Sequence, residues 1–217
     1  MARLLQTFVI AATVLLLNPP AKAGPLELAV EAYEAGNLQT AARSFSALSA
    51  KREPLADYNL AMMHLRGELP KPNPHEAKRL LERAAGHGLV RAELALGQLY
   101  EQGALGKPEL AKSTVWYARA AEHGSADAQV AVATAYYLGR GAKLDMKQAA
   151  HWFREAANGG DVGAQYLLAS MYETGLGLPA DLRLARYWYE IAARNGDEAA
   201  PSKLVELDRR LATEPTS

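Results

Sequence analysis

The chain contains no cysteine. Structural disulfides, thiolate metal sites, a cysteine nucleophile and the lipidated cysteine of a lipoprotein are therefore excluded together. It also lacks an excess of either charge, with 24 Lys and Arg against 24 Asp and Glu. A nucleic-acid partner, which requires a basic face to displace counterions from phosphate, is not expected. Alternating apolar and polar residues are not sustained anywhere, so β-structure is not competitive. Catalytic signatures are missing too: there is no G-x-S-x-G, and no lysine has a serine three positions before it. The five histidines, His64, His75, His87, His123 and His151, show neither i, i+4 pairing nor a supporting carboxylate cluster. No metal, no cofactor and no catalytic residue is expected.

Long apolar runs are scarce. The exception, Leu4 to Leu17, is interrupted by Gln6, Thr7 and Thr13 and is short for a membrane span, which needs roughly 17 to 25 residues. Arg3 precedes it and Ala21-Lys22-Ala23 supplies an A-x-A cleavage signal, so residues 1–23 are expected to be a signal peptide, with an uncleaved anchor as the alternative. Its removal takes away Arg3 and Lys22 and no acid, leaving the mature chain slightly acidic and, with no later apolar run, without stable membrane insertion. The expected destination is outside the cytoplasm, in the periplasm or secreted.

What the chain does have is a period. Trp116, Trp152 and Trp188 lie 36 apart, as do Tyr100, Tyr136 and Tyr172, and Gly67, Gly103, Gly139 and Gly175. A fixed period of this length marks a stacked repeat protein. Within a unit, Ala149, Trp152, Phe153, Ala156 and Ala157 follow i, i+3, i+4, i+7, i+8 and form one stripe of an α-helix, helix B. The other helix, A, carries Ala128, Val132, Ala135 and Tyr136, with copies at Ala92 and Ala164. Its small column Ala61, Gly97, Ala133 and Ala169 favours close pairing of A with B, and Gly97, unfavourable inside a helix, marks a crowded spot. Glycine loops follow helix A, where glycine can end a helix in the left-handed conformation. Asn73, Asp145 and Asp181 suit the N-cap of helix B, and Ser125, Asp161 and Asp197 that of the next helix A. The Trp and Tyr columns read as core.

Ala128, Val132, Tyr136, Gly139, Gly141, Asp145, Ala149, Trp152, Phe153, Ala156, Ala157 and Gly160 resemble the motif of the Sel-one-like repeat family, a branch of the tetratricopeptide-like solenoids. The resemblance covers residues 56 to 199 in four copies, 56–91, 92–127, 128–163 and 164–199. The first departs most, with His64 for tyrosine, Leu80 for tryptophan, and Pro70, Pro72 and Pro74 in its loop. Residues 24–55 read as an ordinary tetratricopeptide-like hairpin, 200–212 as a polar-backed capping helix, and 213–217 as a disordered tail. The fold this implies is all-α, a right-handed α-α superhelix of stacked hairpins. The family resemblance also implies protein–protein interaction, signalling regulation or assembly of envelope and surface-polysaccharide machinery. A cysteine-rich branch is associated with β-lactam binding or hydrolysis, and this chain departs from it by lacking cysteine.

Such stacks bind along their concave surface. On helix A the positions facing away from the core read Tyr58, Met62 and Leu65, then Leu94, Gln98 and Glu101, then Val130, Thr134 and Tyr137, then Tyr166, Ser170 and Glu173. Of these, Tyr58, Met62, Leu65, Glu101, Tyr137, Tyr166 and Glu173 are the candidate partner-binding residues, because exposed aromatics and thioethers suit interfaces. Partial burial under the neighbouring repeat is an equal reading of the same positions. The expected function is a non-enzymatic scaffold holding a segment of another envelope protein. An exported hydrolase or β-lactam-binding protein and a glycan-binding module stand as alternatives.

Overall fold

The computed structural model describes residues 23–213, so residues 1–22 of the expected signal peptide and 214–217 of the expected tail lie outside the described residues. Eleven helices and no strand are found among them. A first hairpin comprises α1 (Pro25–Glu34) and α2 (Leu38–Ser49). Four longer-looped hairpins follow: α3 (Pro54–Leu65) with α4 (Pro74–Gly86), α5 (Val90–Gln102) with α6 (Leu110–Glu122), α7 (Ala126–Leu138) with α8 (Met146–Asn158), and α9 (Val162–Thr174) with α10 (Leu182–Arg194). The last helix, α11 (Ala200–Thr213), stands alone and includes Thr213. Each helix packs on its chain neighbours to either side, which makes the chain an all-α solenoid of stacked hairpins.

The local signals fall where the residue chemistry puts them. Asn73, Asp145 and Asp181 accept hydrogen bonds from backbone N–H groups of the first turns of α4, α8 and α10. Ser125 and Asp161 do the same for α7 and α9, and Asp197 accepts from the N–H groups of Ala199 and Ala200 ahead of α11. The first copy's histidine also finds a reason. In the later copies the N–H of Glu109, Asp145 and Asp181 donates to the carbonyl of Tyr100, Tyr136 and Tyr172, whereas the N–H of Asn73 donates to Nδ1 of His64 at 3.2 Å. The imidazole thus replaces a backbone acceptor beside the proline-rich loop. Burial holds His64 below its usual titration range, only partly offset by Glu76, and a neutral ring is what that acceptor role requires.

Gly97 does mark a crowded spot: a Cβ there would run into the ring of Tyr117 on α6. Gly177 is tighter. Its φ is +77° and a Cβ would meet the Met146 carbonyl at the start of α8, so this residue seats the α9–α10 loop on the preceding hairpin. Gly177→Ala combines a left-handed backbone with a collision against main chain, and a loss of about 2–3 kcal/mol is expected in urea unfolding. A loss below about 0.5 kcal/mol, the range of ordinary surface substitutions, would show that the loop is not seated there.

The apolar core is a chain of clusters, each straddling a seam between hairpins. Here one expectation is revised. The tryptophans are only half-buried, and the deeply buried ring column is the next residue along helix B, with Tyr117 5%, Phe153 1% and Tyr189 0% exposed. Both residues lie on the same stripe, but the one aimed between the two helices of its own hairpin is enclosed on all sides. The indole lies toward the outer rim, where Arg119 covers Trp116, His151 packs on Trp152 and Tyr187 on Trp188. Trp152 and Trp188 each touch two core clusters, so they do bridge neighbouring hairpins.

A second column, polar and buried, joins the hairpins from within. Asp57, Glu93 and Gln165 are almost fully buried and Gln129 half-buried, at successive 36-residue steps. Each sits one residue after a core alanine on helix A, facing the ends of helices B. Arg83 donates to both oxygens of Asp57 and also to the Ser49 carbonyl and hydroxyl at the end of α2. His123 Nδ1 lies 2.7 Å from Glu93, Gln129 donates to the Ala121 carbonyl at 3.5 Å, Gln165 donates to the Ala157 carbonyl at 3.2 Å, and Asn195 donates to Gln165 at 3.0 Å. His123, just past the end of α6, is thus the partner of a buried carboxylate. Among the described residues no buried side-chain nitrogen or oxygen lacks a hydrogen-bond partner, as a buried polar column demands.

Candidate functional site

Positions Leu65, Glu101, Tyr137 and Glu173 form one column near the C-terminal ends of the first helices, and beneath them lies the buried column Leu81, Tyr117, Phe153 and Tyr189 of the second helices. The pairing changes from copy to copy. Leu65 and Leu81 share one apolar cluster. Glu101 accepts the Tyr117 hydroxyl at 2.7 Å. Tyr137 stands edge-on to Phe153, with centroids 6.1 Å apart and planes at 71°. Glu173 accepts the Tyr189 hydroxyl at 3.0 Å. Burial first, and then the neighbouring carboxylate, push both phenols well above their usual titration range. They remain donors that fix one carboxylate oxygen and leave the other available.

Two depressions open on this side. One, of about 210 Å³, lies between α3 and α5 and is lined by Met62, Leu65, Arg66, Ala95 and Gln98. The other, of about 160 Å³, lies between α5, α6 and α7, where Glu101, Ser113, Tyr117, Ala131, Leu138 and Arg140 meet. A wider, shallower groove of about 620 Å³ runs between α2 and the first repeat past Leu60, His64 and Lys71.

The candidate residues therefore divide. Met62, Leu65 and Glu101 line the depressions, together with Gln98 and Thr134 from the same triplets. Tyr58 is half-buried against the first core cluster. Tyr137 leans on Phe153, and Tyr166 stands edge-on to Tyr189 at 5.0 Å, so these two rings support the core as well as facing outward. Glu173 has only 9% of its side chain exposed and is held by the last helix, with Arg210 at 2.8 Å and Lys203 at 3.5 Å. Arg140 and Ser113 were not among the candidates. Arg140 sits in a loop that reads as a connector, and Ser113 stands at a core position of helix B.

The outline agrees with solved structures. The Sel1 repeat family model matches residues 54–89, 90–125, 126–161 and 162–197, framing the same period two residues earlier. A Sel1 repeat protein from Oxalobacter formigenes superposes with a TM-score of 0.78 at 26% identity, over 88% of this chain and 79% of that one. The protein c5321, a protective antigen present in uropathogenic Escherichia coli strains and displaying an SLR fold, superposes with a TM-score of 0.75 at 31% identity, over 84% of this chain and 40% of that one. No curated protein matches the chain.

Proposed function

The chain belongs to the Sel1 repeat family, typically non-enzymatic protein-binding scaffolds, and from that premise we propose that it is an exported adaptor of the bacterial cell envelope. The face made by α3, α5, α7 and α9 holds a segment of another envelope protein, in signalling regulation or in envelope or polysaccharide assembly. No covalent step is involved. The observation that carries this reading is the pair of depressions at consecutive seams, each with a mixed lining: Met62 and Leu65 beside Arg66 and Gln98 in the first, Leu138 and Ala131 beside Glu101 and Arg140 in the second. A partner segment crossing both would bury apolar side chains and satisfy polar groups in each, the mixture found in a protein interface. Tyr58, Tyr137 and Tyr166 extend the same face, whereas Glu173 is already taken by Arg210 and Lys203 of the last helix.

Because Tyr137 and Tyr166 also support buried rings, truncating them mixes loss of fold with loss of binding. A photo-crosslinking side chain at exposed Gln98 avoids this. In living cells, Gln98 is expected to trap one protein species that exposed Arg79 and Lys147 on the second helices do not. Trapping only from Arg79 or Lys147, or none from any position, would move the binding face or remove it.

A further inference from the structure

The depression beside Glu101 has an occupied counterpart in the same molecule. A step of 72 residues carries Glu101 to Glu173, Tyr117 to Tyr189, Ala131 to Lys203 and Leu138 to Arg210. At the downstream position α11 takes the place that α7 takes upstream, and its two cations close on the carboxylate: Arg210 Nη1 lies 2.8 Å from Glu173 Oε1 and Lys203 Nζ 3.5 Å from Oε2. Upstream the same carboxylate, oriented by the same phenol at 2.7 Å, faces a short alanine and an apolar leucine. Among the described residues no cation lies within 4 Å of Glu101, and a cavity of about 160 Å³ stands in place of the two basic side chains.

Resting on the reading of this face as the binding face, we infer that the Glu101 cavity receives an arginine or lysine side chain of the bound partner. The geometry is that of Glu173 with the cation supplied in trans. Tyr117 occupies one carboxylate oxygen, and the incoming guanidinium or ammonium donates to the other in a charge-assisted hydrogen bond. The hydroxyls of Ser113 and Thr134 line the same cavity and offer further acceptors. Arg140, also at its edge, makes no ion pair with Glu101, and its charge repels an incoming cation.

Blocked tripeptides Ac-Ala-X-Ala-NH2 with X as arginine, citrulline or glutamate, titrated into the full mature chain and followed by backbone amide shifts at Ala131 and Thr134, test this. The arginine peptide is expected to bind at least tenfold more tightly than the citrulline peptide, and E101Q, a change at an exposed position, to erase that difference. Arg140→Gln should strengthen arginine binding. The double variant A131K/L138R, which builds in the cations α11 supplies, should abolish it while keeping the fold. Equal binding of arginine and citrulline peptides would overturn the inference, as would preferred binding of the glutamate peptide lost in Arg140→Gln, or no peptide shifts at all. If that happens while crosslinking from Gln98 persists, the binding face stands and only its basic ligand is lost; if both fail, the face itself is wrong.

Discussion

Replacing Arg83 with methionine is expected to lower stability by about 3–5 kcal/mol, because it strands a fully buried carboxylate. Asp57 has no exposed surface and its two oxygens receive their hydrogen bonds from Arg83, whose side chain is 27% exposed. Methionine keeps the stem's packing and removes the charge, so the loss isolates the uncompensated carboxylate. The same guanidinium also reaches the Ser49 carbonyl and hydroxyl, so the first seam, between α2 and the first repeat, should open before the rest. Urea unfolding by circular dichroism gives the magnitude, and hydrogen exchange should show amides of α2 losing protection ahead of those in α7 to α10. Combining it with Asp57→Leu should recover most of the loss, since an apolar pair of similar volume often does as well as a buried ion pair. A single Arg83→Met variant within about 1 kcal/mol of the parent would place Asp57 in contact with water and remove the column from the account of stability.

That column also shows where sequence reading stops. The period, the paired helices, the N-caps at Asn73, Asp145 and Asp181 and the tight spot at Gly97 are each carried by one residue type recurring at one step, or by a preference acting within a single turn, so they can be read without a third dimension. The positions Asp57, Glu93, Gln129 and Gln165 recur at the same step but share only polarity and burial. Identity columns therefore pass over them. Their partners differ as well: an arginine 26 residues on, a histidine 30 residues on, and carbonyls of the preceding helix for the glutamines. The ring pairs failed for a different reason. Trp152 and Phe153 share a helical stripe, and the stripe alone does not say which of them is aimed at the partner helix of its own hairpin. The candidate site was legible as a face but not as a cavity, because the space beside Glu101 is made by what Ala131 and Leu138 lack relative to Lys203 and Arg210, which requires the two sites to be superposed in space.

The enclosed ring makes the sharpest test of how the copies hold together. Phe153→Ala is expected to cost about 3–5 kcal/mol, the range for emptying a large buried aromatic site. Phe153 is 1% exposed, and its cluster joins Ala133 of α7, Ala149 and Ala156 of α8, and Leu168 and Met171 of α9. Collapse around the void is resisted because Tyr137 rests edge-on against the same ring. A stack in which each hairpin touches only its neighbours has a stability close to a sum of units and seams, so a loss concentrated in one seam should divide the transition rather than merely shift it. Tryptophan fluorescence and far-ultraviolet circular dichroism, coincident in the parent, should part in the variant, and amides of α7 to α9 should exchange while those of α3 and α4 stay protected. Trp152→Ala is the control. Its indole is half-buried at the rim beside His151, so its loss should be less than half that of Phe153→Ala. Should the tryptophan prove the costlier deletion, the seam would be carried by the outer rings, and the inner column would be filling rather than support.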